Sequence, residues 1–249
     1  MDFWRAVDWQ RPWLAPYRAL GVAACRRLDQ GESVAAALQS LAGPKPQALA
    51  AGPLHFVDQR ELPQGEAYEA FIARTARVPT RDNLHDLFNG LVWLTFPALK
   101  RRLNELQAKQ IAQAGVGHTR GAARDALTLF DENAALLQAP AVLVDALRQR
   151  DWRSLFIAHR AAWCNSRLTL FGHALIEKLV QPRKAVTAHV WVLSRLTDAQ
   201  TPLVETLTPQ LLSAKPYLPL PVLGVPGWWQ QNMSEGFYDD PGVFRTPRG

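Results

Sequence analysis

Cysteine is scarce in this 249-residue chain, which contains only Cys25 and Cys164. Neither lies in a CxxC or Cys/His array, which argues against a disulfide framework or a thiolate zinc site and favours a reduced, cytoplasmic protein. Long apolar runs are lacking too, since no stretch approaches the ~18 apolar residues of a membrane span. The first residues, MDFWRAVDWQRPW, lack the apolar core of a secretory signal. We therefore expect a cytoplasmic protein without a membrane partner.

The signatures of several enzyme classes are also missing. The sequence has no G-x-S-x-G and no activating motif around a cysteine, so serine-type or cysteine-type catalysis has little support. It has no G-x-G-x-x-G and no GxxxxGK[ST], which argues against nucleotide binding by a Rossmann or P-loop site. Zincin, facial-triad and EF-hand patterns are absent as well.

What is present is the composition of a globular protein, 48% hydrophobic and 20% charged, in a chain long enough to bury a sizeable core. The balance of 28 basic and 22 acidic residues gives a net charge of +6 and a pI near 9.7. Such a charge assists encounters with polyanions, but the basic residues are scattered and form a run only at Lys100-Arg101-Arg102. Nucleic acid is therefore an alternative partner rather than the leading one.

Hydrophobic periodicity predicts a mainly α-helical fold, a compact multi-helix domain spanning residues 1–249. Its expected parts are N-terminal helices in 1–42, a loop in 43–66 with an extended segment around His55–Val57, a helical core in 67–197 with the candidate site, and a long extended Pro/Gly-rich strap in 198–249.

Two stretches of this core leave alternatives open. Within 125–139, Leu127–Phe130 and Ala134–Leu137 fit either a helix or the two strands of one small β-hairpin. Residues 184–193 fit either a strand or a helix. Further on, Pro140 is expected to open a helix through about Arg150, and Trp152–Cys164 to form another.

The run TRDNLHDLFNGLVWL carries an unusual polar stripe. Its members stand at i, i+3, i+4 and i+7 and would share one helical face: Asp82, His85, Asp86 and Asn89. Asp, His and Asn are poor helix formers, so this face differs from an ordinary solvated face of Lys and Glu. We expect Thr80 to cap the helix and Pro97 to end it near Leu94–Phe96. A following helix at 98–114 would extend the stripe through Trp93 to Lys100 and Asn104.

A divalent-metal site is the sharpest interpretation of these residues. His85 and Asp86 offer nitrogen and oxygen ligands from one helix, and His173 and Glu177 in FGHALIEKL share a face at i, i+4. Mixed nitrogen and oxygen ligation suits Zn, Mn or Fe better than Ca. Other residues are available to complete or orient the shell: His118, Asp125, Asp131, Glu132 and His189. The alternative is a structural network of caps and helix-surface pairs.

Arginines near these acids indicate anion recognition. Arg120 and Arg124 are one helical turn apart, and arginine binds carboxylate or phosphate through paired hydrogen bonds. The alternative is that both arginines pair with Asp125, Asp131 or Glu132 and stabilise the fold. The leading hypothesis is a metal-dependent hydrolase acting on a small phosphate- or carboxylate-bearing substrate. Its catalytic candidates are His85, Asp86, Asn89, Arg120, Arg124 and Asp125, and its metal ligands His85, Asp86, His173 and Glu177. The alternatives are a non-catalytic nucleic-acid-binding protein and a metal-free acid–base enzyme.

Four blocks of the chain resemble a known family. They are VPTRDNLHDLFNGLVWLTFPALK, RGAARDALTLFDENAALL, FGHALIEKL and LPVLGVPGWWQQNMSEGFYDDPGVFR. Together they are similar to a proteobacterial family of uncharacterised proteins with a domain of unknown function, over roughly Trp4 to Arg245. The resemblance implies a bacterial, cytosolic protein and brings no established activity. Ala134 departs from the glycine associated with the turn of the FDEN block.

Overall fold

Helices and sheets both build this protein, whose computed structural model describes residues 2–44, 47–114, 121–193 and 201–246. The described part of the chain is 57% helical and 14% strand and contains three sheets, one of them four-stranded. It therefore has an α/β fold, and the prediction of a mainly α-helical domain with at most one small hairpin was wrong.

The α-helices are α1 (Arg18–Asp29), α2 (Val34–Ala42), α3 (Tyr68–Thr75), α4 (Leu84–Thr95), α5 (Pro97–Ala114), α6 (Ala122–Asn133), α7 (Ala141–Gln149), α8 (His173–Lys178), α9 (Thr201–Thr206) and α10 (Pro209–Ser213). Short 3-10 helices are Phe3–Ala6, Pro12–Leu14, Gln59–Glu61, Arg160–Asn165, Val222–Gly224, Gln230–Met233 and Glu235–Asp239, and Ser154–Ala158 is a π-helix. The π-helix Ser154–Ala158 and the 3-10 helix Arg160–Asn165 replace the regular helix that the sequence predicted at Trp152–Cys164.

The strands are β1 (Ala48–Leu49), β2 (Gly52–Pro53), β3 (His55–Asp58), β4 (Arg77–Thr80), β5 (Ala134–Gln138), β6 (Arg167–Leu170), β7 (Thr187–Val192) and β8 (Leu218–Pro221). β1 pairs with β2, and β3 lies parallel to β4. The main sheet has the order β6-β5-β7-β8, in which β5 and β7 are parallel and the two edge strands antiparallel to their neighbours.

The central strand β5 explains why the sheet escaped sequence analysis. Its five residues, AALLQ, are all buried, so the strand shows no alternation of apolar and polar side chains. Alanine and leucine also favour helices over strands. The hairpin alternative for 125–139 was wrong because its first half continues as helix α6 to Asn133, while β5 pairs with β6 and β7 instead. The open stretch 184–193 contains strand β7.

The N-terminal helices α1 and α2 confirm the prediction for residues 1–42 and complete the core. Tyr17 is fully buried and its hydroxyl donates a hydrogen bond to the carbonyl of Leu170, 2.5 Å away, at the end of β6. Leu38 on α2 packs where a Cβ on Gly90 of α4 would stand. One connected set of buried side chains thus runs from Val7 to Phe244.

Helix α4 begins later than the sequence predicted. The side chain of Asn83, not Thr80, caps it by accepting from the backbone N–H of Asp86 at 2.8 Å, and Thr80 belongs to strand β4. Asp82 therefore lies outside the helix, where its carboxylate accepts from the N–H of Val34 at 2.7 Å and stabilises the start of α2. The predicted break at Pro97 is confirmed, since α4 ends at Thr95 and α5 begins at Pro97.

The C-terminal segment is less extended than predicted. It contains α9, α10 and the proline-bearing strand β8, which lies at a sheet edge, where a missing N–H costs little. Phe237, Tyr238 and Phe244 are buried and anchor the segment to the body of the protein. In the described part of the chain, no helix combines the length and the apolarity needed to cross a lipid bilayer.

Candidate metal centre

Three elements that are distant in sequence meet at one cluster of ligand atoms. His85 comes from the first turn of α4, Glu132 from the last turn of α6, and His173 is the first residue of α8. One nitrogen or carboxylate oxygen from each lies within 4.8 Å of the other two. The Nε2 atoms of the two histidines are 3.1 Å apart, and Glu132 Oε2 is 3.5 Å from His173 Nε2. This is the size of a first coordination shell.

His173 forms the floor of the cluster. Its side chain is only 4% exposed, and its Nδ1 lies 2.9 Å from the backbone carbonyl of Asp131. A carbonyl oxygen can only accept, so Nδ1 carries the proton and Nε2 presents a lone pair to the cluster. Burial, partly opposed by the Asp131 carboxylate, lowers the pKa of His173 to about 4, which keeps the ring neutral and able to ligate near pH 7.

His85 is oriented in the same manner from the other side. Its Nδ1 lies 2.9 Å from Glu177 Oε2, so a neutral ring donates from Nδ1 and also turns a lone pair at Nε2 toward His173. Two lone pairs at 3.1 Å repel each other unless a cation or a proton lies between them. Ligand nitrogens at about 2.0–2.1 Å from a tetrahedral zinc would be separated by roughly 3.3 Å, so the observed spacing fits a shared metal.

Glu132 supplies the anionic corner of the cluster. The Glu132 side chain is partly buried, and this burial together with the neighbouring Asp131 carboxylate raises the pKa of Glu132. Glu132, His85 and Glu177 are each about one third exposed, at 35%, 33% and 37%. The cluster is therefore closed beneath His173 and open to solvent on the side of these three residues.

A buried chain of polar groups supports Asp131. Lys100 is 4% exposed, and its Nζ donates to Asp131 Oδ1 at 2.7 Å and to Asn89 Oδ1 at 2.9 Å while lying over the Trp93 ring. Asn89 in turn donates to the Tyr68 hydroxyl at 3.0 Å. Although burial acts to raise the pKa of Asp131, Lys100 and His173 lower it. Asp131 therefore remains charged and paired, which fixes the carbonyl that orients His173.

Gly172 permits the close approach of the two chain segments that we call the α6–α8 junction, Asp131–Asn133 and Gly172–His173. A Cβ at position 172 would stand 2.4 Å from the backbone nitrogen of Asn133 and 2.5 Å from the carbonyl oxygen of Glu132. These are backbone atoms and cannot yield cheaply. The absence of a side chain at Gly172 is thus what brings Glu132 and His173 to one point.

The structure brings some of the predicted site residues together and places the others away from the cluster. It brings His85 and His173 together, but Glu177 lies behind His85 as its hydrogen-bond partner. Asp86 is turned away, because its carboxylate accepts from the backbone N–H of Arg81 at 2.6 Å and from the Arg81 side chain. Asn89 does not contact the cluster but accepts a hydrogen bond from Lys100, which in turn pairs with Asp131.

Two further residues of the predicted site, Arg124 and Asp125, lie away from the cluster. Arg124 and Asp125 lie seven to eight residues before Glu132 on α6, or about 10–12 Å along the helix axis, and Asp125 is exposed. Arg120 and His118 lie outside the described residues. His189 bonds to Asn133, with 2.6 Å between its Nδ1 and the Asn133 amide nitrogen, and so stands next to the cluster.

Glu132 is the candidate ligand that the spacing pattern did not single out. It was one of several acids available to complete the shell, with no helical partner at i±4 to distinguish it. Its position depends on where α6 ends, and the sequence left that segment undecided between helix and strand.

Comparison with known protein families identifies a match over most of the chain. A family model described as "Protein of unknown function (DUF3025)" matches residues 54–248. No curated protein and no solved structure matches the chain.

Proposed function

This chain belongs to the DUF3025 family of proteins of unknown function, and we propose that it is a metal-dependent hydrolase whose metal is held by His85, Glu132 and His173. The observation that carries the proposal is the pair of imidazole Nε2 atoms 3.1 Å apart, each turned toward the other by an acceptor on its Nδ1. A zinc ion is the first candidate, and Mn or Fe would accept the same donors.

The donor set supports a catalytic rather than a structural ion. Three protein ligands leave further coordination positions free, as in catalytic zinc sites, whereas structural sites are closed by a fourth protein ligand. A divalent ion in this setting would lower the pKa of a bound water and polarise a carbonyl or phosphoryl oxygen. The partial exposure of His85 and Glu132 leaves room for a substrate beside them.

The surrounding residues would each have a defined task. Glu177 holds the proton on His85 Nδ1, and the carbonyl of Asp131 holds that on His173 Nδ1. Lys100 compensates the charge of Asp131, which leaves Glu132 as the carboxylate free to ligate. The expected substrate carries a phosphate or carboxylate, consistent with the net charge of +6.

A metal-free acid–base enzyme is the second candidate, favoured by the same distance. At 3.1 Å the two Nε2 atoms also fit a hydrogen bond, with His85 protonated on both nitrogens between Glu177 and His173. Such a dyad would transfer a proton to or from a substrate on the open side of His85, with a bell-shaped pH profile.

Metal content measured by mass spectrometry tests the proposal. The untagged protein would be equilibrated with Zn²⁺, Mn²⁺ or Fe²⁺, dialysed, and compared with His85→Ala, Glu132→Ala and His173→Ala. We expect near-stoichiometric metal in the wild type and loss in each variant, together with hydrolysis of p-nitrophenyl phosphate or acetate that disappears with the metal.

Asp125→Ala is the matched control, because it removes an exposed carboxylate from the same helix as Glu132. It should retain the metal. A wild-type protein that takes up none of the three ions would overturn the hydrolase. The acid–base enzyme would then be tested by the pH profile of the same reactions.

A further inference from the structure

Strand β6 is an edge of the main sheet, and its hydrogen bonds show which backbone groups face outward. The N–H of Phe171 donates to the carbonyl of Ala134 at 2.9 Å, so bonded pairs recur at every second residue of β5 and β6. Leu168 and Leu137 therefore form a non-bonded pair. The carbonyl of Leu137 confirms this, because it accepts from the N–H of Leu193 on the opposite side of β5, at 2.8 Å. The N–H and C=O of Leu168 thus point away from the sheet.

Only one end of this outer edge is covered. Leu170 points outward by the same alternation, and its carbonyl accepts the hydroxyl of Tyr17 at 2.5 Å. In the part of the chain that the structure describes, nothing bonds to the outward N–H and C=O of Leu168. The middle of β6 therefore presents one donor and one acceptor, as an added strand requires.

A groove of about 310 Å³, which we call the β6 groove, lies along this edge. Residues 166–169 form one wall, and the other lining residues include Pro12, Pro16, Trp163, Pro226 and Trp228. Because the bond from Tyr17 holds residues 12–17 on the outer side of β6, the groove lies on that side as well. Four extended residues span roughly 13 Å, so the wall has the length of a short extended peptide.

The lining of the β6 groove specifies the chemistry of its ligand. Proline and tryptophan rings offer apolar surface to an apolar side chain. Arg167 also lines the groove and is exposed. Among the described residues, no carboxylate lies within ion-pair distance of its guanidinium, and none of those lining the groove is acidic. A fitting ligand therefore carries a backbone N–H and C=O, an apolar side chain and an acidic group.

A second copy of this chain does not fit the groove. Residues 12–17 and 225–228 flank the β6 edge, and a second folded chain would bring the same flanking segments with its own edge. These segments would collide before the two β6 strands came within the roughly 4.8 Å that separates paired strands. A single extended segment lacks such flanks and can enter.

We propose that β6 binds an extended peptide segment of a partner protein. The peptide pairs its backbone with Leu168, lays an apolar side chain against Trp163 and Trp228, and places an acidic side chain beside Arg167. This inference goes beyond the proposed hydrolase and does not depend on it, since none of these residues belongs to the candidate metal centre.

Peptides selected from a phage-displayed random library test this assignment. The selection would use the wild-type protein with a chelator present, so that no peptide binds through a metal, and fluorescence anisotropy would give the affinity for each variant. Leu168→Pro removes the outward N–H, and an edge strand tolerates proline there. Leu168→Ala is its matched control, because it shortens the side chain but keeps the N–H. Arg167→Glu reverses the charge in the groove, and Arg26→Glu reverses that of another exposed arginine, on α1.

We expect selected peptides to bind Leu168→Pro about tenfold or more weakly than Leu168→Ala, because a peptide carbonyl is left without its donor. Arg167→Glu should weaken binding by about threefold or more, and Arg26→Glu should leave it unchanged. The inference is overturned if no peptide is selected, or if every selected peptide binds Leu168→Pro and Leu168→Ala equally. A wild-type dimer in light scattering that Leu168→Pro abolishes would assign the edge to a second copy and overturn the choice of a peptide.

Amide hydrogen exchange of the wild type tests the same edge without any variant. In the protein alone, the Leu168 amide should exchange faster than that of Thr169, whose N–H points toward β5 in the bonded pair with Leu136. A selected peptide should slow exchange at Leu168 by about tenfold or more. A bound peptide that leaves exchange at Leu168 unchanged would contradict strand addition at β6.

Discussion

Helix α4 and the α6–α8 junction contribute to one cluster by different physical means. α4 supplies His85 from a regular helix, and its other polar residues, Asp86 and Asn89, bond to Arg81, Tyr68 and Lys100. The junction supplies Glu132 from the end of α6 and His173 from the start of α8, where the Asp131 carbonyl bonds to His173 and the lack of a side chain at Gly172 lets the two backbones approach. One region depends on side chains at helical spacing, and the other on the close approach of two backbones.

This difference predicts unequal tolerance to substitution. The polar side chains of α4 bond mainly to other side chains, and the position of Gly90 faces the end of the Leu38 side chain, so a change there can be accommodated by a change of rotamer. The junction has backbone atoms at van der Waals distance and a buried ion pair beneath it, and neither can rearrange without loss. Four experiments test this contrast.

Replacing Lys100 by methionine should destabilise the protein most, because Lys100 links the two regions. The variant leaves the buried Asp131 carboxylate without its cation, which typically costs about 3–5 kcal/mol of unfolding free energy. Urea denaturation of the metal-free protein measures this loss. Adding Asp131→Asn to Lys100→Met should restore part of it, since the unpaired charge is then gone. A loss below about 1 kcal/mol would show that the pair contributes little.

Acidification should weaken the junction through His173. Its pKa is about 4 in the folded protein against about 6.5 unfolded, so between these values the unfolded chain binds a proton that the folded chain does not. The stabilising contribution is complete above pH 6.5 and is lost as the pH falls toward 4. Between pH 7 and 4.5, the metal-free wild type should lose about 2–3 kcal/mol more unfolding free energy than His173→Gln. Equal losses would contradict a buried, neutral His173.

Gly172→Ala and Gly90→Ala compare the two regions directly. At Gly172 the added methyl group meets the backbone of Glu132 and Asn133, so we expect about 1–3 kcal/mol of destabilisation and loss of metal binding. At Gly90 it meets only the side-chain end of Leu38, and alanine favours the helix, so the metal should be retained. Urea denaturation measures the unfolding free energy of both variants, and metal analysis measures their metal content. Full metal occupancy in Gly172→Ala would refute the role assigned to this glycine.

Glu177→Gln should have the smallest effect of the four. Glutamine still offers an oxygen to His85 Nδ1 but loses the charge, and changes of such outer partners weaken metal binding by about 10–100-fold. A competitive titration with a chromogenic chelator measures this shift. Asp86→Asn, next to His85 on α4, should leave the affinity within about twofold because Asp86 faces Arg81. If Asp86→Asn weakens binding more than Glu177→Gln, the roles of the two acids are reversed.

The sequence alone predicted what depends on local spacing. Helices α1 and α2, the break at Pro97 and the extended segment at His55–Val57 follow from periodicity and proline, and all are confirmed. The polar stripe also predicted that His85, Asn89 and Lys100 belong to one group of polar residues. These residues are related by turns of helix, so their relative positions are fixed within a few residues of chain.

The parts of the fold and of the candidate site that the sequence did not predict depend on contacts between segments that are distant in the chain. Strand β5 is stabilised by partners that begin 29 or more residues later, at β6 and β7, and nothing in AALLQ specifies them. The same holds for Glu132, whose place is set by the approach of Gly172. Spacing within a helix ranked Glu177 as the ligand because it pairs with His173 at i, i+4, whereas its partner proved to be His85, 92 residues away.

The hydrogen bond from Tyr17 to Leu170 shows that the hydrophobic core includes residues that lie before the stretch matched by the family model. The family model begins at residue 54, yet Trp13, Tyr17 and Leu38 are fully buried in the shared core before that point. Leu170 ends the strand that leads into Gly172 and His173. A fragment starting at residue 54 would lose the buried residues Trp13, Tyr17 and Leu38 and the hydrogen bond to the end of β6. We therefore expect that the stretch matched by the family model does not fold on its own.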